Sequence, residues 1–124
     1  MVVSHPLARL LTDGVLPAQC PSRAVLDHVT SKWGVLVLVA LSEGSLRWGE
    51  LRRVVDGISE KMLAQTLRVL VADGFVARDA RPTIPPRVDY ALTERGRELT
   101  ARLLPLMDWI TANAEAIVSE RARS

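Results

Sequence analysis

The segment that most constrains the fold runs from Gly57 to Phe75 and reads GISEKMLAQTLRVLVADGF. Ser59 can cap the free backbone N–H groups at the start of a helix, and Gly74 can take the left-handed conformation that ends one. At about 100° per residue, three leucines fall on one side of this helix: Leu63, Leu67 and Leu70. Three polar residues fall roughly opposite: Lys61, Gln65 and Arg68. The sequence therefore predicts an amphipathic helix with one buried face.

A second short helix is predicted directly before this one. The segment RWGELRRVV, residues 47–55, places Trp48, Leu51 and Val55 at helical spacing, and residues 56–59 separate the two helices. Two short helices joined by a tight turn that contains glycine form a helix-turn-helix. In this motif the first helix packs behind the second, so that the exposed face of the second helix can enter the major groove of DNA.

Two short strands are predicted after the amphipathic helix. The segments FVARDA, residues 75–80, and RVDYALT, residues 87–93, have strand composition, and the proline-rich loop RPTIPP joins them. In the second segment Val88, Tyr90 and Leu92 occupy alternate positions, as in a half-buried strand. A β-hairpin after a helix-turn-helix forms a winged helix. The predicted fold is therefore mainly α with a small β-hairpin.

Helices are also predicted before the helix-turn-helix. Residues Pro6–Asp13 and Pro21–Val29 are each expected to form a short helix, the second with Cys20 near its N-cap and Pro21 at its first position. The run KWGVLVLVALSEG, residues 32–44, would suit a buried strand because it is rich in β-branched residues. Its length and its glycine exit are compatible with a buried helix, which we expect.

The C-terminal segment predicts a helix with a long apolar stripe at steps of i+4 and i+3. The stripe consists of Leu99, Leu103, Leu106, Ile110, Ala114 and Ile117. This is more apolar surface than a small winged domain readily covers, so we expect a second copy of the chain to bury it. Packing within one chain is the alternative.

Length and composition set limits on the class of protein. With 124 residues, 48% of them hydrophobic, the chain suits one domain with its own core. The longest apolar run, Val35 to Leu41, is too short to span a bilayer, and the N-terminus lacks a basic leader. We therefore expect a cytoplasmic protein with no membrane partner. The formal net charge is only +2, which by itself does not indicate nucleic-acid binding.

The sequence does not predict an enzyme. His5, Cys20, Asp27 and His28 match no zinc-ligand spacing, and the chain has neither a second cysteine nor a glycine-rich phosphate loop. We therefore expect no catalytic residues, no metal site and no cofactor.

The polar face of the amphipathic helix suits DNA. Arg can bond to guanine O6 and N7, Gln to adenine N6 and N7, and Lys to a base or a phosphate. Arginines of the hairpin could reach phosphate or the minor groove, although salt bridges with Asp79 and Asp89 are the alternative. A merely solvated face is the alternative for the helix. The predicted DNA-binding residues are Ser59, Lys61, Gln65, Arg68, Arg81 and Arg87.

Taken together, these segments resemble the HxlR-type winged helix-turn-helix transcription regulators of bacteria. The resemblance spans residues 20–114. It rests on Cys20-Pro21, on Lys32-Trp33, on RWGELRRVVDGISEKMLAQTLRVLVADGFV and on PPRVDYALTERG. It implies a dimeric DNA-binding protein whose terminal helices form the dimer interface. The single domain, residues 1–124, would then comprise an N-terminal arm and dimerisation helix (1–31), a DNA-binding core (32–97) and a C-terminal dimerisation helix (98–124).

The resemblance also implies a candidate sensor. Some members of this family detect electrophiles or oxidants through a cysteine near the N-terminus, and Cys20 stands at that place. The alternative is a structural thiol that fills space. The function hypothesis is thus a homodimeric regulator that binds a palindromic operator and is controlled by modification of Cys20 or by a small ligand. The alternative function is a winged-helix protein-interaction module without DNA binding.

Overall fold

The structure, a computed structural model, describes residues 18–123. By its internal contacts the chain divides into two units, residues 1–31 and residues 32–124. In the first unit, helix α1 spans Pro21–Val29, with Cys20 as its N-cap and proline in its first turn, as predicted. The predicted helix Pro6–Asp13 lies outside the described residues.

The second unit contains four α-helices, a 3₁₀ turn and three strands. In chain order they are α2 (Lys32–Ala40), the 3₁₀ turn (Leu41–Glu43), β1 (Leu46–Arg47), α3 (Trp48–Val54), α4 (Glu60–Ala72), β2 (Val76–Arg81), β3 (Arg87–Leu92) and α5 (Glu94–Arg123). The helix-turn-helix is α3–α4, and the wing is the β2–β3 hairpin. The predicted winged helix is confirmed. Within residues 18–123, no single helix is long and apolar enough to cross a membrane; Pro21–Val29 and Lys32–Glu43 reach that threshold only as a bent pair.

The core of this unit is aliphatic. Val37 and Leu38 of α2 are fully buried, so the β-branched run is a buried helix, as expected. Helix α2 packs against α3, α4 and α5. The leucines that are least exposed beside it come from three further elements: Leu41, Leu51, Leu63 and Leu70.

The sheet has three antiparallel strands in the order β1-β3-β2. Strand β1 was not predicted, because two residues cannot show an alternating pattern. It is defined by its pairing with β3, in which Leu46 lies opposite Tyr90 and Arg47 opposite Asp89. The wing therefore extends from the start of α3, which fixes it beside the helix-turn-helix.

Both predicted ends of α4 are present. The Ser59 hydroxyl accepts a hydrogen bond from the Met62 N–H at 3.0 Å. Gly74 has φ of +81° and its N–H donates to the Val71 carbonyl at 3.0 Å, while the Phe75 N–H donates to the Leu70 carbonyl at 2.9 Å. These bonds form a Schellman motif, which satisfies the last carbonyls of the helix.

The end of α4 is also bonded to the start of α5. The Thr93 hydroxyl donates to the Gly74 carbonyl and accepts from the Gly96 N–H at 3.0 Å, so Thr93 caps α5 while it contacts the end of α4. The Thr93 N–H donates to the Phe75 carbonyl at 3.0 Å, and Arg95 Nη1 donates to the Asp73 carbonyl at 2.8 Å. These contacts, called the α4–α5 junction below, join the start of α5 to backbone carbonyls at the end of α4.

Candidate nucleic-acid interface

Helix α4 presents a continuous polar face. Lys61, Gln65 and Arg68 are exposed, while Leu63, Leu67 and Leu70 on the other side are at most 3% exposed. The structure therefore places the three predicted base-reading residues together on one solvent-facing row.

The turn before α4 holds this face in position. Val55 and Ile58 are buried, and the Ile58 N–H donates to the Val55 carbonyl at 3.3 Å. Ser59 is exposed, and because its oxygen accepts the Met62 N–H, its O–H is still able to donate to a phosphate. The sequence motif thus fixes both the direction of α4 and the polar group at its start.

An acidic residue at the start of α4 is neutralised by its neighbour on α3. Arg52 Nη1 lies 3.7 Å from Glu60 Oε1. This ion pair turns the carboxylate toward α3, which reduces the repulsion that a free Glu60 would exert on DNA phosphates. The helical period of either segment does not reveal this pair, because Arg52 and Glu60 lie on different helices.

The wing arginines, Arg81 and Arg87, form ion pairs with aspartates, which was the alternative to a role in DNA binding. Arg81 Nε lies 3.2 Å from Asp79 Oδ2 and 3.7 Å from Asp89 Oδ2, and Arg87 Nε lies 3.1 Å from Asp89 Oδ2. Both arginine side chains nevertheless remain about half exposed, at 54% and 46%. They can still approach phosphate, but with much of their charge already neutralised.

Asp89 is buried, at 7% exposure, although the alternation of β3 predicted it to face solvent. Arg81 and Arg87 lie directly opposite each other across the hairpin, and both contact this carboxylate. On its other side the backbone of Asp89 lies opposite Arg47 of β1, whose side chain contacts Glu50 instead. A buried carboxylate is stable only when it is paired and hydrogen-bonded, and Arg81 and Arg87 supply that compensation.

The predicted dimer stripe on α5 is divided by burial. Leu103 is buried in the single chain, at 8% exposure, and Leu99 is half-buried, while their place in a dimer interface stays a prediction. Leu106, Ile110 and Ile117 are exposed. Sequence reasoning did not include three further exposed apolar side chains of the helix: Leu104, Trp109 and Val118.

The candidate sensor, Cys20, is half-buried at the start of α1. Its side chain makes no capping hydrogen bond, and its carbonyl accepts from the Arg23 N–H at 3.0 Å. Among residues 18–123, no group of three His, Cys, Asp or Glu side chains is arranged to hold a metal ion.

Known proteins share this arrangement. The family described as HxlR-like helix-turn-helix matches residues 28–118. The HTH-type transcriptional regulator YtfH of Escherichia coli is 51% identical over 116 residues, which cover 93% of this chain and 92% of that protein. The solved structure of the transcriptional regulator YtfH from Salmonella typhimurium superposes with a TM-score of 0.81 and 48% identity, over 87% of this chain and 96% of that one. The redox regulator HypR in its oxidised form gives a TM-score of 0.70 and 37% identity, over 76% of this chain and 97% of its own.

Proposed function

Because the chain belongs to the HxlR-like helix-turn-helix family of transcriptional regulators, we propose that it recognises a specific DNA sequence through helix α4. The observation that carries the proposal is the exposed row of Lys61, Gln65 and Arg68 on a helix whose opposite face is buried. The Gln65 amide can donate to adenine N7 and accept from adenine N6, and the Arg68 guanidinium can donate to guanine O6 and N7 in the major groove. A regulator of this kind acts on the chromosome, in the cytoplasm of a bacterial cell.

The proposed active form is a homodimer. Helix α5 exposes a group of large apolar side chains that a second copy of the chain would cover: Leu104, Leu106, Trp109, Ile110, Ile117 and Val118. A two-fold dimer would place its two α4 helices in successive major grooves, about 34 Å apart. The operator that fits such a dimer is approximately palindromic.

Operator selection followed by titration tests base reading. Purified protein is used to select DNA from a random pool, and the affinity of the selected duplex is measured by fluorescence anisotropy at several salt concentrations. Gln65→Ala and Arg68→Ala should each cost about 1 to 3 kcal/mol and relax the preference at particular base pairs. Arg81→Ala, a wing variant, should weaken all sequences about equally.

Two outcomes would contradict this assignment. If Gln65→Ala and Arg68→Ala both keep full affinity and preference, α4 is not the reading helix. If the wild-type protein shows no salt-sensitive binding to any duplex, the fold serves as a protein-interaction module instead.

We propose that DNA binding is regulated by modification of the Cys20 thiol, with a small ligand as the alternative effector. Cys20 is the N-cap of α1 and is only half-buried, so an oxidant or electrophile can reach its thiol. The similarity to HypR, a redox regulator, supports the same interpretation. Because the chain has one cysteine, its oxidation would end in an intersubunit disulfide, a mixed disulfide or a higher oxide.

Diamide treatment tests this regulation through Cys20. Operator affinity and mass-detected modification are measured together for the wild type and for Cys20→Ser. Wild-type affinity should change as Cys20 is modified, and Cys20→Ser should not respond. If the wild-type thiol is modified without a change in affinity, Cys20 is not the sensor.

A further inference from the structure

A cleft of about 270 Å³ lies between the recognition helix and the wing. It is lined by residues from α3, α4, β2 and β3, all within the second unit of the chain. Its apolar side chains are Trp48, Ala64, Leu67, Val71 and Tyr90. Two cations, Arg68 and Arg78, complete the lining. The cleft therefore combines an apolar floor with positive charge from two different elements.

The two arginines of the cleft differ from those of the wing. Arg81 and Arg87 are ion-paired with aspartates, whereas among residues 18–123 the side chains of Arg68 and Arg78 form neither an ion pair nor a hydrogen bond. Both are exposed. Their guanidinium donors are thus available, and carboxylates and phosphates are the groups whose geometry such donors match.

The floor indicates what the rest of the ligand must be. Leu67 is 3% exposed and Tyr90 8%, and Trp48 and Val71 are half-buried, so the cleft offers aromatic and aliphatic surface rather than polar groups. A DNA phosphate needs only the two cations and would leave this surface empty. The Tyr90 hydroxyl also has no hydrogen-bond partner among the described residues, which leaves one donor for the ligand.

We propose that this cleft binds an aromatic monocarboxylate, with its carboxylate between Arg68 and Arg78 and its ring system on Trp48, Leu67 and Tyr90. A mostly apolar site with a few converging polar groups is the usual form of a small-molecule site, and the volume suits a molecule of one or two rings. The regulatory consequence rests on the proposed function. Arg68 cannot hold the carboxylate and read a base at once, so the ligand and the operator exclude each other.

The binding test uses 2-naphthoate as the probe and needs no DNA. The three tryptophan indole N–H signals are observed by ¹⁵N NMR, and the Trp48 signal is identified with Trp48→Phe. Naphthoate should shift the Trp48 signal and leave Trp33 and Trp109 unchanged. Arg78→Gln should weaken binding about tenfold or more, because it removes a charged hydrogen bond. Arg53→Gln, an exposed arginine of α3 outside the cleft, is the charge-matched control and should bind as the wild type does.

The neutral analogue 2-naphthalenemethanol separates carboxylate recognition from general apolar binding. It should bind at least tenfold more weakly than naphthoate. The proposed site is wrong if naphthoate leaves the Trp48 signal unmoved. It is also wrong if the wild type binds the alcohol as tightly as naphthoate, or if Arg78→Gln binds naphthoate as tightly as the wild type does.

A second titration tests the regulatory consequence with the selected operator. At ten times its dissociation constant, naphthoate should raise the apparent Kd for DNA about elevenfold, as expected for mutually exclusive ligands. Unchanged DNA affinity with the cleft occupied would refute the exclusion. A protein that binds naphthoate but no duplex would refute the proposed function and leave the binding site standing.

Discussion

Replacement of Gly96 by alanine tests the α4–α5 junction. A Cβ atom at this position would lie 2.0 Å from the Phe75 carbonyl oxygen and 3.2 Å from Leu92 Cδ2. Contacts of Cβ atoms below 3.0 Å are essentially absent from proteins, so the two backbones must separate by at least about 1 Å. The atom in the way is a backbone carbonyl, which cannot rotate aside as a long side chain can.

The cost follows from what this separation breaks. Overpacking a well-packed site costs about 1 to 3 kcal/mol. The Phe75 carbonyl also accepts the Thr93 N–H at 3.0 Å, and losing that bond costs about 1 kcal/mol more. Alanine is the better helix former by up to about 1 kcal/mol, which offsets part of the loss. We expect Gly96→Ala to lower the free energy of unfolding by about 1 to 3 kcal/mol.

Urea denaturation followed by circular dichroism measures this difference, at one fixed protomer concentration because a dimer gains stability with concentration. Gly49→Ala is the matched control, since Gly49 is also helical and a Cβ there would meet nothing within 4 Å. The control should be as stable as the wild type or more stable by up to about 1 kcal/mol, because it gains the helix propensity of alanine without a clash. If Gly96→Ala is as stable as Gly49→Ala, the close approach of α5 to Phe75 is not present in solution.

Three further substitutions test separate parts of the chain. Leu106→Asp, at an exposed position, should yield a protein that is folded and sediments as a monomer. Leu103→Asp, at a buried position, should instead lower the free energy of unfolding by about 3 kcal/mol or more. A folded monomer from both variants would contradict the distinction between an exposed Leu106 and a buried Leu103. Thr100→Val should be neutral or stabilising by up to about 1 kcal/mol in the same urea assay, because the buried Thr100 hydroxyl has no hydrogen-bond partner among residues 18–123. A clear loss of stability would show that the hydroxyl is hydrogen-bonded. Asp89→Asn should free the charge of Arg87, whereas Arg81 keeps its ion pair with Asp79. The logarithm of DNA affinity should then fall more steeply with the logarithm of salt, by up to about 1 in slope, and an unchanged slope would place the wing away from phosphate.

Local sequence determined what could be predicted about α4. The Ser59 cap spans four residues, Ser59 to Met62, and the Schellman motif spans Leu70 to Phe75, so each could be predicted from a short segment. The two faces of the helix follow from its period alone. The same holds for the helix α1, whose Cys20-Pro21 start is encoded at adjacent positions.

Features that depend on pairing between distant segments could not be predicted in this way. The Thr93–Gly74 bond joins residues 19 positions apart. Asp89 is buried because two arginines and strand β1 meet it, which no alternation within β3 reveals. A stripe at helical spacing likewise cannot separate Leu103, which faces its own chain, from Leu106, which is exposed.

The α4–α5 junction gives these separate features a common role in the proposed dimer. Two recognition helices can occupy successive major grooves only if the distance between them is fixed. Helix α5 carries the proposed interface, and bonds from Thr93 and Arg95 attach its first turn to the last turn of α4. No loop separates α5 from the wing, because Thr93 is the single residue between β3 and α5. The position of α5 in the dimer therefore sets the position of α4 on DNA, and a change in how two α5 helices pack would alter the half-site spacing that the protein can read.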